Sequence, residues 1–132
     1  MYGKSNAIVK LGTALALGST EEVLSSAYQY TASNYNTRII VYANTEVTIT
    51  AEDTLYVDLK ECSTTDGTYA NVAAALRLTA PTGDTVYAIG DVIAEIVIPD
   101  MIVTSGYFLK VGITDAADLT AMKVDIEVTN CY

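Results

Sequence analysis

The sequence predicts an all-β fold, an antiparallel sandwich or barrel of about eight short strands. Segments that alternate apolar and polar residues recur through most of the chain, and turn-forming residues separate them at hairpin spacing. Hydrophobic residues make up 51% of the 132 residues and charged residues only 17%. One domain of this size buries a two-sheet core without a metal or disulfide, and the low charge suggests that another subunit covers part of its surface.

The C-terminal half carries the clearest strand pattern. Met122–Val128 alternates apolar with charged residues throughout, which is typical of a half-buried strand. Leu55–Lys60 and Tyr107–Ile113 show the same period. Val92–Ile98 is apolar except at Glu95, which predicts a strand covered on both faces or lying at a subunit contact.

Two further strands are predicted upstream, at Arg38–Tyr42 and Val47–Thr50. Asp66-Gly67 and Gly90-Asp91 offer residues that tolerate positive φ, so each predicts a tight reversal. A strand should return over Ala70–Thr79 after the first of these reversals. Further turns are predicted at Pro81–Asp84, Ser105-Gly106 and Asp115–Asp118.

The first third of the chain lacks this periodicity. We therefore predict an N-terminal arm and connecting segment over residues 1–35, mobile until it binds a neighbour, and a sandwich domain over residues 36–132. Ser19–Tyr28 could begin a short helix. The alternative is that residues 6–17 form a core strand, because Ile8, Leu11, Leu15 and Leu17 are apolar enough to supply one.

Composition argues against several function classes. The net charge is −9 with only 7 Lys and Arg, so the clustered cations that bind nucleic acid or an anionic membrane are missing. The apolar run Ala14–Leu17 is too short to span a bilayer, and Lys10 argues against a secretory signal. We expect neither a nucleic-acid nor a membrane partner.

Catalysis is not expected either. The chain has no His, which removes the commonest general base and transition-metal ligand. The carboxylate pairs Glu21-Glu22, Glu52-Asp53 and Asp115/Asp118 lie in predicted turns, where caps are the ordinary role and a weak Ca²⁺ site the alternative. We expect no enzymatic activity, no cofactor and no tightly bound metal. Cys62 and Cys131 could pair or remain free thiols.

Tyrosine accounts for 10 of the 11 aromatic residues. It supplies rigid, amphipathic area and is enriched at protein interfaces, although strand propensity and packing at the edge of the core explain it as well. The candidate interface residues are the tyrosines before the first predicted strand and the apolar face of Val92–Ile98. They are Tyr28, Tyr30, Tyr35, Ile93 and Val97.

The chain resembles the small jelly-roll cement, or decoration, proteins of tailed-bacteriophage capsids, of the kind known from a Bordetella phage. The matching segments span roughly residues 36–130, whereas residues 1–35 show no close match. They include a strand leading to Asp66-Gly67 and an aromatic residue, a strand ending at Ile98-Pro99, the strand from Tyr107, and Met122–Val128.

The resemblance implies a jelly roll that forms a homotrimer on the outside of the virion. Such a protein would be made in the host cytoplasm and would bridge neighbouring copies of the major capsid protein. Four features of the sequence agree with this role: the low charge, the missing catalytic residues, the tyrosine-rich faces and the loose N-terminal arm. The alternative function is a carbohydrate-binding module or head-surface adhesin on a β-sandwich.

Overall fold

The fold is seen in a computed structural model that describes residues 7–17, 22–30, 37–51, 53–72, 76–79, 83–97, 106–115 and 122–130. The described residues form strands and turns, and none of them lies in a helix. The strands are β1 (Ala7–Ala16), β2 (Val23–Leu24), β3 (Tyr28–Gln29), β4 (Arg38–Ala43), β5 (Val47–Ile49), β6 (Thr54–Cys62), β7 (Ala70–Asn71), β8 (Leu76–Thr79), β9 (Thr85–Tyr87), β10 (Val92–Val97), β11 (Phe108–Asp115) and β12 (Lys123–Asn130).

Two antiparallel sheets contain all but one pair of these strands. Sheet 1 has the order β1-β12-β4-β10, and sheet 2 has the order β2-β11-β6-β7, with β3 also on β11 and β8 also on β6. The short strands β5 and β9 pair with each other. The chain passes between the sheets from β1 to β2, from β3 to β4, from β10 to β11 and from β11 to β12, and the first and last strands are neighbours in sheet 1. This is the connectivity of a jelly-roll sandwich, so the predicted fold class is confirmed.

The core lies between the inner faces of the two sheets. Every second residue of a strand faces the core. In sheet 1, β4 buries Ile39, Val41 and Ala43, and β12 buries Val124, Ile126 and Val128. Sheet 2 contributes Leu55, Val57, Leu59, Leu109, Val111 and Ile113 to the same hydrophobic cluster. The strands predicted over 38–42, 47–50, 55–60, 92–98, 107–113 and 122–128 all exist, with bounds that differ by at most two residues.

The N-terminal arm requires correction. Residues 7–16 form β1, which pairs antiparallel with β12 from Ala7↔Asn130 to Ala16↔Lys123. Leu11 and Leu17 are each 2% exposed and belong to the core cluster. The described part of residues 1–35 therefore belongs to the sandwich, and the alternative of a core strand over residues 6–17 is the one that the structure shows.

Two register shifts in β1 explain why its pattern is weak in the sequence. They fall between Lys10 and Gly12 and between Gly12 and Leu15. In the second, Ala14 adopts φ 50°, and its amide donates a 2.7 Å hydrogen bond to Asp125 Oδ1 on β12. Asn44 Nδ2 donates to both oxygens of the same carboxylate, at 3.2 and 3.3 Å. Asp125 thus fixes the β1 bulge and the end of β4 together.

Replacing Ala14 by glycine is expected to stabilise the protein. A left-handed φ costs an L-residue about 1–2 kcal/mol, whereas glycine adopts it freely, so we expect a net gain of about 0.5–1 kcal/mol after the entropy of the unfolded glycine is counted. The matched control is Ala16→Gly on the same strand, which lacks a positive φ and should lose about 0.5–1 kcal/mol. Urea unfolding measures both, and equal losses would contradict the prediction.

The short helix expected over Ser19–Tyr28 is wrong for the described residues 22–28, which include β2 and the start of β3. Both strands pair with β11, through Val23↔Ile113 and Tyr28↔Leu109. Between β2 and β3 the chain bulges away from β11, and the Ser25 hydroxyl accepts the hydrogen bond of the Val111 amide there. Ser25 is only 4% exposed. Tertiary pairing with β11 therefore overrides the helical start signal.

A bulge also changes the pattern of β10. Its register with β4 shifts between Val92↔Tyr42 and Ala94↔Val41. The extra residue, Ile93, turns inward and is 5% exposed, next to the buried Ala94. Glu95 and Val97 then face outward, opposite Ile40 and Arg38 of β4.

Candidate interaction surfaces

The predicted interface residues do not form one surface. Tyr28 and Tyr30 are partly buried and pack against the edge of the hydrophobic core. The Gly106 amide donates to Tyr30 O at 2.7 Å, and the Tyr30 amide donates to Tyr107 O at 2.9 Å. Tyr35 lies outside the described residues. The described tyrosines of this group therefore close the edge of the sandwich beside β11.

Ile93 and Val97 lie on different faces of β10. Ile93 is part of the core within the chain itself, so its apolar character is explained without a partner. Val97 is half-buried on the outer face of sheet 1. The sequence pattern placed the two residues together because an uninterrupted strand alternates strictly, whereas the bulge at Val92–Ala94 shifts this alternation by one residue.

The outer face of sheet 1 carries paired charges. Lys10 Nζ lies 3.3 Å from Glu127 Oε2, and Arg38 Nη1 lies 3.4 Å from Glu95 Oε2. Each pair has at least one member that is more than half exposed, so each contributes at most about 1 kcal/mol. This face has the mixed composition of an ordinary solvated surface.

The outer face of sheet 2 differs, because two lysines meet on it. In the β6–β11 ladder, Lys60 stands directly opposite Lys110. We name the surface formed by Tyr56, Lys60, Phe108, Lys110 and Tyr69 the lysine face. Its members are all partly exposed. Like charges directly opposite across a ladder destabilise a sheet, so each lysine needs compensation.

Lys60 is compensated by an ion pair with Glu22, whose Oε1 lies 2.8 Å from Nζ. The Glu22 side chain reaches Lys60 across Gly112 of β11. A Cβ at Gly112 would approach the Glu22 carboxylate within 2.4 Å, so glycine makes this crossing possible. The pair is half-sheltered, with the Lys60 side chain 17% and the Glu22 side chain 27% exposed.

Lys110 is compensated only weakly. Its Nζ lies 4.7 Å from the centre of the Tyr69 ring, a cation–π contact. Burial raises the pKa of the Tyr69 phenol above its usual 10.0, with smaller contributions from Cys62 and Asp66, so the ring stays neutral. The ion pairs between described residues do not include Lys110. This ammonium group remains available to an external carboxylate.

The turn between β9 and β10 presents the most exposed large apolar side chain of the described residues. Ile89 is 73% exposed, and Val86 and Val92 on either side are 54% and 52% exposed. We name this segment, residues 86–92, the Ile89 turn. Isolated exposed aliphatic residues are common on proteins, but three within seven residues indicate a contact surface.

The Ile89 turn is held rigidly. The Asp91 amide donates to Ala88 O at 2.9 Å, and Gly90 has φ 91°, as in a type II turn with Ile89 at its outer corner. The Asp91 side chain accepts a 2.8 Å bond from the Ala88 amide. Two bonds to Ala43 anchor the turn to the end of β4: Gly90 N to Ala43 O at 2.8 Å, and Ala43 N to Asp91 O at 2.9 Å. The reversal was predictable from Gly90-Asp91, whereas its apolar tip was not.

The predicted acidic turns have structural partners where they are described. Thr50 Oγ1 hydrogen-bonds the Asp53 carboxylate, and Asp84 Oδ1 accepts from the Ala51 amide at 3.1 Å. The described residues contain no group of three or more Cys, Asp or Glu placed to hold a metal ion. The Asp115 side chain, Glu52 and Asp118 lie outside what the structure describes.

Cys62 is a free thiol at the end of β6, 3.8 Å from Thr64 Oγ1. Cys131 lies outside the described residues. Within the described part of the chain there is no helix that is long and apolar enough to cross a membrane.

Comparisons with known proteins do not assign this chain to a family. No family model matches the chain, and no curated protein matches it. One similar solved chain belongs to a structure described as that of infectious bursal disease virus, Gt strain, with 15% identity and a TM-score of 0.28. The match covers 98% of the present chain and 32% of that chain, so this chain spans about a third of its length.

Proposed function

We propose that this protein is a structural component of a tailed-phage capsid, a cement or decoration protein on the outer head surface. The observation that carries the proposal is the jelly-roll strand order. The sequence resemblance to small jelly-roll cement proteins supports it. The exposed apolar tip at Ile89, on a rigid turn, supports a role in protein contacts. The carboxylates described in turns have structural partners, which also favours a structural role.

In the proposed mechanism, the protein forms a homotrimer and bridges neighbouring copies of the major capsid protein. Each bridge adds binding free energy to the assembled shell and none to the free subunits, so the assembled state is favoured by mass action. Three linked subunits would multiply weak contacts through avidity. The chain would act on the virion exterior after synthesis in the host cytoplasm.

Co-sedimentation tests this function. The purified protein is mixed with expanded heads assembled from the major capsid protein of the same genome, and the pellet is assayed for a fixed ratio of the two proteins. We expect saturable binding and a higher melting temperature of the decorated heads. Absence of the protein from the pellet at micromolar concentration would refute the proposal.

A glycan-array screen of the same preparation separates the alternative function. Specific glycan binding without head binding would favour a carbohydrate-binding module or adhesin, for which the aromatic residues Tyr56 and Phe108 on the outer face of sheet 2 would be the first candidates. The expected result is head binding with no glycan signal.

A further inference from the structure

We propose that copies of this chain associate head to tail, with the Ile89 turn of one copy docked on the lysine face of the next. The inference rests on the proposed homotrimer and names the two surfaces that form it. The contact is heterologous, because different surfaces meet, and it closes into a ring when the rotation between copies is one third of a turn.

The Ile89 turn is suited to dock on a neighbouring copy because it is apolar, exposed and rigid. Ile89 is 73% exposed at the corner of a turn that four described hydrogen bonds hold in place, so little conformational entropy is lost on docking. Aliphatic anchors on preorganised turns are efficient contact residues for this reason. Val86 and Val92 extend the apolar area on both sides of the corner.

Two carboxylates flank this apolar tip. Asp91 closes the turn, and Glu46 precedes Val47, which pairs with Tyr87. Both residues are exposed. The cation on the neighbouring strand is Lys123, whose carbonyl oxygen accepts hydrogen bonds from the amides of Asn44 and Thr45, just before Glu46. The surroundings of the tip are therefore acidic, which opposes contact with most of a chain of net charge −9.

The lysine face is the described surface that fits these carboxylates. Lys60 and Lys110 stand side by side there with the aromatic rings of Tyr56, Phe108 and Tyr69. Glu22 neutralises Lys60, and Asp58 also lies on this face, so its local charge is balanced in a strongly acidic chain. Lys110 contacts the Tyr69 ring and belongs to none of the ion pairs between described residues. An incoming carboxylate would relieve the repulsion between the two lysines.

Analytical ultracentrifugation of the purified full chain tests the contact. We expect the wild type to sediment as a closed trimer of the 14.1 kDa chain, dissociating at raised salt. Ile89→Asp should raise the concentration at half-dissociation by about tenfold or more, since it removes the apolar anchor. Val9→Asp is the matched control at another exposed valine, and it should leave the association unchanged.

Charge reversal adds a test that a folding defect cannot mimic. Lys110→Glu should weaken the trimer by a similar factor, yet raise the melting temperature of the monomer, because it replaces a lysine–lysine pair by a lysine–glutamate pair across the ladder. Adding Glu46→Lys should restore association in the double variant. Lys10→Glu on sheet 1 is the matched control for charge.

The outcomes separate this inference from the proposed function. A trimer that survives both Ile89→Asp and Lys110→Glu overturns the docking contact and leaves the homotrimer standing. A wild type that stays monomeric at all concentrations overturns the association, and co-sedimentation with heads then decides the capsid role by itself. Loss of association in both variants, with rescue by Glu46→Lys, supports the contact.

Discussion

Deletion of residues 1–17 is expected to abolish cooperative folding. The deletion removes β1, the partner of β12, and takes Leu11 and Leu17 out of the core. Each buried leucine contributes about 1.5–3 kcal/mol, and the lost strand also exposes the backbone edge of β12, against a total stability of about 5–15 kcal/mol. Thermal unfolding followed by circular dichroism should show no sigmoidal transition.

Point variants on the same strand provide the control. Leu11→Asp places a charge at a position 2% exposed and should destabilise the fold by several kcal/mol, whereas Val9→Asp at 41% exposure should cost much less. A truncated chain that melts like the wild type would show that β1 is dispensable. Such a result would restore the arm predicted from the sequence.

Ser25→Ala is expected to destabilise the protein by about 1–3 kcal/mol. The Ser25 hydroxyl accepts a 2.9 Å hydrogen bond from the buried Val111 amide and donates one to Ser26 O at 2.9 Å. The Ser25 amide donates to Val111 O, also at 2.9 Å. Alanine would leave the Val111 N–H buried without a partner. The melting temperature should fall by roughly 4–12 °C.

Ser26→Ala is the matched control for this change. Ser26 is exposed, and its 2.9 Å bond to Leu11 O comes from its backbone amide, which alanine retains. Its cost should be within about 0.5 kcal/mol. Equal effects of the two substitutions would mean that water satisfies Val111 when the hydroxyl is removed.

The interface candidates show how far sequence reasoning reaches at a surface. Val97 lies outward as its strand pattern predicts, but Ile93 does not, because the bulge beside it turns it into the core. Ile89 was missed, since a single apolar residue before a Gly-Asp turn carries no periodicity. The lysine pair was missed because it joins β6 and β11, which are about fifty residues apart in the chain.

The sequence by itself determined the fold class and most of the strands. Where apolar and polar residues alternate without interruption, as in Met122–Val128, the pattern specifies both the strand and its buried face. Reversals at Asp66-Gly67 and Gly90-Asp91 were predictable as well, but the positive φ on which both predictions rested is found at Gly90 and not at Asp66 or Gly67.

Only the tertiary structure decided the role of the first third of the chain and the surfaces available to partners. In β1 and between β2 and β3, bulges break the period, and cross-strand bonds from Asp125 and Ser25 hold conformations that local preference does not select. Strand order then determines which charges meet. Pairing between distant segments placed Lys60 beside Lys110, and no local pattern encodes that register.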